Sequence, residues 1–173
     1  MRIKVDDLKI EFSRYSFELL QSDLKRLDSK YQFEKAVCAV ALKRDKEFII
    51  LKGEYQITLN APCDYCFSST QVVLDEEFEL DLMPEKSRPE DSSDVEISIK
   101  SRDVEYYQGF EISLADYFED QIILDLPMSV ICSETCKGVC QQCGINRNIS
   151  SCDCEEQNLN NPFKVLKDLN LTD

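Results

Sequence analysis

The sequence predicts an α+β fold: an antiparallel β-meander, one helix packed across it, and a cysteine-rich C-terminal region. Three observations predict it. Residues 36–82 hold three β-rich runs, the last of which, VVLDEEFELDL, alternates polar and apolar residues over most of its length, as a sheet with one wet face requires. After Ser113, the residues Leu114, Tyr117, Phe118, Ile122 and Leu126 fall on one helical stripe. From Cys132 to Cys154, six cysteines crowd into 23 residues of a chain that has no histidine.

Taken in order, Ile3 and Val5, then Leu8, Ile10 and Phe12, mark a first strand over 3–12. Phe17, Leu20, Leu24 and Leu27 follow Ser16 at helical spacing and predict a short helix or an irregular amphipathic stretch. The meander comprises Ala36–Leu42, Glu47–Leu59 and Thr70–Leu82, separated by KRDK and by the turn APCDYCF with Cys63 and Cys66. Cys38, inside AVCAVAL, reads as a small core hydrophobe rather than a ligand. The segment 84–94, PEKSRPEDSSD, reads as an exposed loop. VEISI at 95–99 and DVEYY at 103–107 are candidate short strands. Ser113 opens the helix, which runs to about Asp125 and stops at Pro127, and Pro162 opens a last short helix with Phe163, Leu166 and Leu169 on one face. The expected organisation is a sheet-plus-helix domain over 1–126 and a cysteine-rich region over 127–173 packed on it through Cys63 and Cys66.

At 173 residues the chain is long enough for a real core, and its 43% apolar content excludes wholesale disorder. The start, MRIKVDDLKIEF, is charged where a signal peptide is apolar, and no run of about 18 apolar residues exists. The expectation is a soluble, cytoplasmic protein, in a compartment where clustered thiols serve metal or redox chemistry rather than a disulfide framework. The net charge of −14 sits in the middle third: residues 75–125 hold 4 basic and 17 acidic groups, against 12 and 11 in 1–74 and 4 and 6 in 126–173. Such a field repels phosphate backbones and attracts basic polypeptides, although a solvated acidic surface also serves solubility.

Zinc takes four thiolates at about 2.3 Å in a tetrahedron, so its sulfurs lie under about 4 Å apart. Cys140-Gln-Gln-Cys143-Gly144 suits one corner of such a site, because Gly144 can adopt the left-handed conformation the turn needs. Cys63-Asp-Tyr-Cys66 has the same gap without the glycine, Cys152-Asp-Cys154 can ligate from an extended segment, and Cys132 and Cys136 match one helical turn. Cys132, Cys136, Cys140 and Cys143 cannot share one ion, since on a helix residues eight apart are about 12 Å apart. Two zinc ions therefore divide the eight ligands. Loop-closure entropy favours Cys140, Cys143, Cys152 and Cys154 as one site and Cys63, Cys66, Cys132 and Cys136 as the other, with the crossed pairing of 63/66 and 140/143 still open. A thiol redox pair or an iron–sulfur cluster are the rival uses of such cysteines. Catalysis has little support: there is no histidine, no glycine-rich phosphate loop among four glycines, and a tetrahedron of four protein ligands leaves zinc no open position.

The run Asp120-Gln-Ile-Ile-Leu-Asp-Leu-Pro127, followed by Cys132, Cys136-Lys-Gly-Val-Cys140-Gln-Gln-Cys143-Gly144-Ile-Asn146-Arg-Asn148 and Cys152-Asp-Cys154, resembles the YceD family, the large ribosomal RNA subunit accumulation proteins. Cys63-Asp-Tyr-Cys66 and Asn161-Pro162-Phe-Lys-Val-Leu166 also fit that resemblance. The family pattern has Leu at Val139 and Asp-Pro-Arg at Asn161-Pro162-Phe163, departures that leave the cysteines untouched. The resemblance implies a non-enzymatic role in accumulation or maturation of large-subunit ribosomal RNA. The charge map adds an expected partner: residues 75–125 would hold a basic ribosomal protein or assembly factor, with the effect on RNA indirect and neither a membrane nor a small-molecule substrate involved. The competing expectation is direct RNA contact through the zinc module and Lys137, Arg147, Lys164 and Lys167, with thiol redox sensing a third. Asn146 and Asn148 are read as turn-shaping residues rather than partner contacts.

Overall fold

The computed structural model describes residues 1–46, 48–88 and 104–154. Among these residues seven strands and one α-helix follow one another: β1 (Arg2–Lys4), β2 (Ser13–Leu20), β3 (Lys35–Asp45), β4 (Phe48–Pro62), β5 (Ser69–Pro84), β6 (Val104–Tyr107), β7 (Glu111–Ser113) and α1 (Leu114–Asp125). Strands β2 to β6 form one five-stranded sheet in chain order, and β1 pairs with β7 in a two-stranded one. The predicted meander is present in β2–β3–β4–β5, all antiparallel and in unbroken register.

The inner face follows from period-2 patterning. On β4 the odd positions Ile49, Leu51, Tyr55, Ile57, Leu59 and Ala61 are buried, and register places Leu82, Leu80, Phe78 and Leu74 of β5 beside them. Helix α1 lies across this face through Leu114, Phe118 and Ile122, each fully buried. Phe118 stacks edge-on with Phe17 at 5.2 Å and Phe78 at 5.0 Å between ring centres, geometry that aromatic quadrupoles favour. Cys38 points into the same core at 1% exposure, as a small hydrophobe does. One carboxylate joins it there. Glu119, 3% exposed, accepts hydrogen bonds from the backbone N–H groups of Arg26 and Leu27 and an ion pair from the Arg26 Nε at 3.1 Å. It thereby pins the irregular 24–34 segment to the helix.

Two elements differ from expectation, and a third takes a direction that the sequence left open. The first strand is only Arg2–Lys4; Val5–Asp7 turns as a 3₁₀ helix, because adjacent Asp6 and Asp7 break the alternation and the Val5 N–H bonds Phe110 instead. Ser13–Leu20 is a strand, not the start of a helix. Its Phe17 and Leu19 face the core while Leu20 is half exposed, and only Leu24 and Leu27 beyond it are buried from irregular backbone. Strand β6 lies parallel to β5. Most of the predicted loop 84–94, the candidate strand 95–99 and the helix opened by Pro162 lie outside the described residues. No helix among the described residues is long and apolar enough to cross a membrane.

Candidate metal centres

The turn leaving β4 and the segment after α1 meet at one end of the large sheet. Asp64 makes that junction: its N–H bonds the Val130 carbonyl at 2.8 Å, and its carboxylate accepts from the Val130 N–H at 2.7 Å and the Ser129 hydroxyl at 3.2 Å. The Val130 hydrogen bond, foremost, holds the Asp64 carboxyl below its ordinary range. Fixing Val130, itself buried, delivers Cys132 to the turn. The sulfurs of Cys63, Cys66, Cys132 and Cys136 then lie within 4.8 Å of one another, and so do those of Cys140, Cys143, Cys152 and Cys154. This is the grouping that loop closure favours; the crossed pairing is not seen. None of the nine cysteines is in a disulfide, and Cys38 belongs to neither group.

Within the first group, Cys66 Sγ is 3.6 Å from Cys132 Sγ and Cys63 Sγ is 3.9 Å from Cys136 Sγ. A tetrahedron with bonds of about 2.3 Å has edges of about 3.8 Å, so the donors already stand where a tetrathiolate ion needs them. Protonation equilibria agree with that fit. Cys66 is drawn down to about 6, chiefly by the Ser68 hydroxyl and amide, and Cys140 to about 6 by the amides of Cys143 and Gln142. Sharing its proton with Cys136 and Cys66 pushes Cys132 up to about 12, and Cys143 does the same to Cys154. Four crowded thiols cannot all ionise beside one another, and a cation at the centre removes that conflict.

Both two-residue turns are built alike. Cys63 N–H bonds Ser68 carbonyl and Cys140 N–H bonds Ile145 carbonyl, each at 2.8 Å. Phe67 N–H and Gly144 N–H, each at 2.9 Å, close back on the carbonyls of Cys63 and Cys140. The residue after the second cysteine is left-handed in both, with φ +72° at Gly144 and +59° at Phe67. The missing glycine at 67 is thus met by strain in a phenylalanine that is 68% exposed. Cys132 and Cys136 sit on a tight turn rather than the predicted helical one, with Cys136 N–H bonded to Ser133 carbonyl at 3.1 Å.

The family model described as large ribosomal RNA subunit accumulation protein YceD matches residues 51–170, which hold all eight of these cysteines. The chain belongs to the YceD family. Two proteins described as large ribosomal RNA subunit accumulation protein YCED homolog 1, chloroplastic, match shorter stretches. That of Arabidopsis thaliana is 32% identical over 59 residues, covering 34% of this chain and 18% of that protein. That of Zea mays is 38% identical over 50 residues, covering 28% and 17%. The matched stretch is less than a fifth of the length of either relative. No solved structure matches the chain.

In this YceD protein the two clusters are braced against each other by residues the cysteine pattern does not announce. Asn146 donates to the Cys66 carbonyl at 3.3 Å and the Ser68 hydroxyl at 3.0 Å, tying the second turn to the first. Asn148 accepts from Lys137 N–H at 2.8 Å and donates to the Cys136 sulfur at 3.4 Å. Asn146 and Asn148 therefore shape turns, as expected, and also reach across to the neighbouring cluster. At Gly138, with φ +66°, a side-chain carbon would stand 3.1 Å from the Tyr65 carbonyl, and Val139 N–H bonds that carbonyl at 3.1 Å. An Asn two places from another, and a glycine between cysteine pairs, are the signals that would have marked these braces.

Proposed function

We propose that this YceD protein is a non-enzymatic, cytoplasmic ribosome-assembly factor that supports large-subunit ribosomal RNA through a basic protein partner. In this reading the eight cysteines hold two structural zinc ions. Four sulfurs around each ion leave no place for water or substrate, so the metal supplies shape and no reaction. Family membership supports the link to ribosomal RNA accumulation.

The observation that carries the partner assignment is on the outer face of the sheet. Asp75, Glu77, Glu79 and Asp81 alternate along β5 on the side away from the core, and register sets Glu77 directly opposite Glu54 of β4. Like charges facing across a strand pair destabilise a sheet, yet among the described residues neither has an ion-pair partner. Beside them the small residues Ala39, Ala41 and Gly53 floor a shallow open groove, whose walls carry Arg14 and Lys52 as well as the carboxylates, with Lys52 paired to Glu79 at 2.8 Å. A lysine or arginine laid into that groove would meet both carboxylates. A basic ribosomal protein or assembly factor provides such side chains in number.

The test places a photocrosslinking residue at Gln56, on the same face, in growing cells. The expected product is a basic large-subunit protein, lost in the Glu54→Lys/Glu77→Lys variant while about two zinc ions per chain are retained. Crosslinks that go to ribosomal RNA, or that survive the charge reversal, would refute the proposal. Iron or no metal in the colourless or coloured purified protein would refute its zinc half.

A further inference from the structure

The end of the large sheet opposite the cysteine clusters has a different chemistry. Cys63 follows β4 at one end and the β3–β4 turn stands at the other, about 45 Å away along a strand of this length. There a cleft of about 530 Å³ opens between the turn, the 3₁₀ turn after β5 and the connection from β6 to β7. Arg44, Lys46 and Lys86 line it. Among the described residues none of the three has a side-chain partner, in a chain of net charge −14. Phe48, Tyr107 and Phe110 provide ring surface on the same walls, and Phe110 is 80% exposed. Glu85 at the rim is occupied by Arg88 at 3.0 Å, which among the described residues lining the cleft leaves Asp6 as the acid opposing three cations.

A second observation points to the same place. Lys46 has φ +57° in the turn between β3 and β4. Tight hairpin turns favour Gly, which has no Cβ to crowd the backbone, or Asn, whose short polar side chain bonds locally, at such positions. Lys46 is exposed, and the hairpin turn sets its backbone conformation whichever side chain stands there. What it does is set an ammonium group at the mouth of the cleft.

The geometry points to a binding site for a nucleoside phosphate in this cleft, with the phosphate among Arg44, Lys46 and Lys86 and the base against Phe48, Tyr107 or Phe110. Cations that track phosphate, with rings that stack on any base, are the features single-stranded nucleic acid sites combine. An acidic peptide would use the cations and leave the rings idle. The assignment goes beyond the acidic-face reading, lies on the other side of the sheet, and is measured without any protein partner, so either can fail alone.

The experiment uses full-length, metal-loaded protein and fluorescein-labelled octauridylate, followed by anisotropy at low and near-physiological salt. Binding is expected, weakening with salt as phosphate contacts do. Arg44→Ser/Lys86→Ser should weaken it at least tenfold, and Phe110→Ala severalfold with the salt dependence unchanged. Lys46→Asn should weaken it while leaving thermal stability equal or higher, which separates loss of the cation from loss of the fold. Lys35→Ser, on another part of β3 and paired with Glu18, should have no effect. Adenosine and uridine monophosphate distinguish the sources: equal affinity per site identifies a free nucleotide, and binding by the octamer alone identifies an RNA strand. Absence of binding by both, indifference to the Arg44/Lys86 change, or displacement by oligoglutamate or inorganic polyphosphate as readily as by the octamer would overturn the assignment.

Discussion

Replacing Cys136 by serine tests the division of labour between the two clusters. The change leaves three sulfurs at the cluster that joins β4 to the segment after α1, whereas Cys154→Ser damages a cluster closed within one short stretch. With the proposed metal bound, the tie from Cys63 to Cys136 would span 73 residues, and a chain-entropy estimate for a loop of that length gives about 4 kcal/mol of ordering held by the tie. The loop from Cys143 to Cys152, nine residues apart, gives about 2.5 kcal/mol. Losing the longer tie should therefore release the junction itself, and about 4 kcal/mol corresponds to roughly a thousandfold rise in local opening. Amide hydrogen exchange reads this directly. In Cys136→Ser the amides of Asp64, Val130 and Val139, which bond across the junction, should lose protection by up to that factor, while β3 and β4 keep theirs. In Cys154→Ser the loss should be confined to the amides of Cys140 and Gly144. Equal exposure of the junction in both variants, or an unaffected junction in Cys136→Ser, would refute the argument.

Three further outcomes are expected. Phe67→Gly should raise the stability of the metal-loaded protein by about 0.5–1 kcal/mol, since left-handed strain of about 1–2 kcal/mol is removed and glycine's added chain entropy returns part of it; thermal melting reads the sign. Glu119→Ala leaves the buried Leu27 N–H and the Arg26 N–H without their acceptor and should cost about 3 kcal/mol in urea unfolding, with Glu119→Gln losing less. Burial pushes the Cys38 thiol up to about 12 from an ordinary 9.0. Because the folded value is the higher one, its share of stability is complete below pH 9 and is lost as pH rises through 9 towards 12. At pH 8 a thiol reagent should label eight cysteines after chelation and the ninth only after unfolding, and early labelling of Cys38 would contradict the buried assignment.

How legible each part was depends on whether its partner lies nearby in sequence. The β3–β5 meander and α1 declare themselves because each presents one apolar face at its own period, and the neighbour they pack on is the next element or the common core. Residues 13–20 were ambiguous for a physical reason. Phe17, Leu20, Leu24 and Leu27 match a helix, but burial selects Tyr15, Phe17 and Leu19 through pairing with β3, a partner the local pattern does not name. The parallel alignment of β6 is equally invisible, being fixed by β5 from across a long connection. The cysteine grouping could be read because loop closure ranks it. The left-handed Phe67 could not, because a phenylalanine carries no sign of the conformation the turn imposes on it.

The distribution of burial shows where metal coordination would matter to this fold. Between residues 127 and 154 only Val130 and Cys140 are buried, while Met128, Ile131 and Ile149 face solvent. That stretch has no apolar core from which to recover the entropy of its ordering. Its backbone turns instead on hydrogen bonds to Asp64, Tyr65, Cys66 and Ser68, all in or beside one cysteine turn. The sheet and α1 need no such help, since Phe118, Leu51, Leu59 and their neighbours already form a continuous core. Metal at the first cluster would thus complete a segment that packing cannot, at the end of β4 farthest from the basic cleft. The outer acidic face lies on strands that hold together without it. Binding through that face should for this reason survive chelation, whereas anything that contacts the cysteine turns should not, and the two behaviours separate a partner held by the sheet from one held by the metal module.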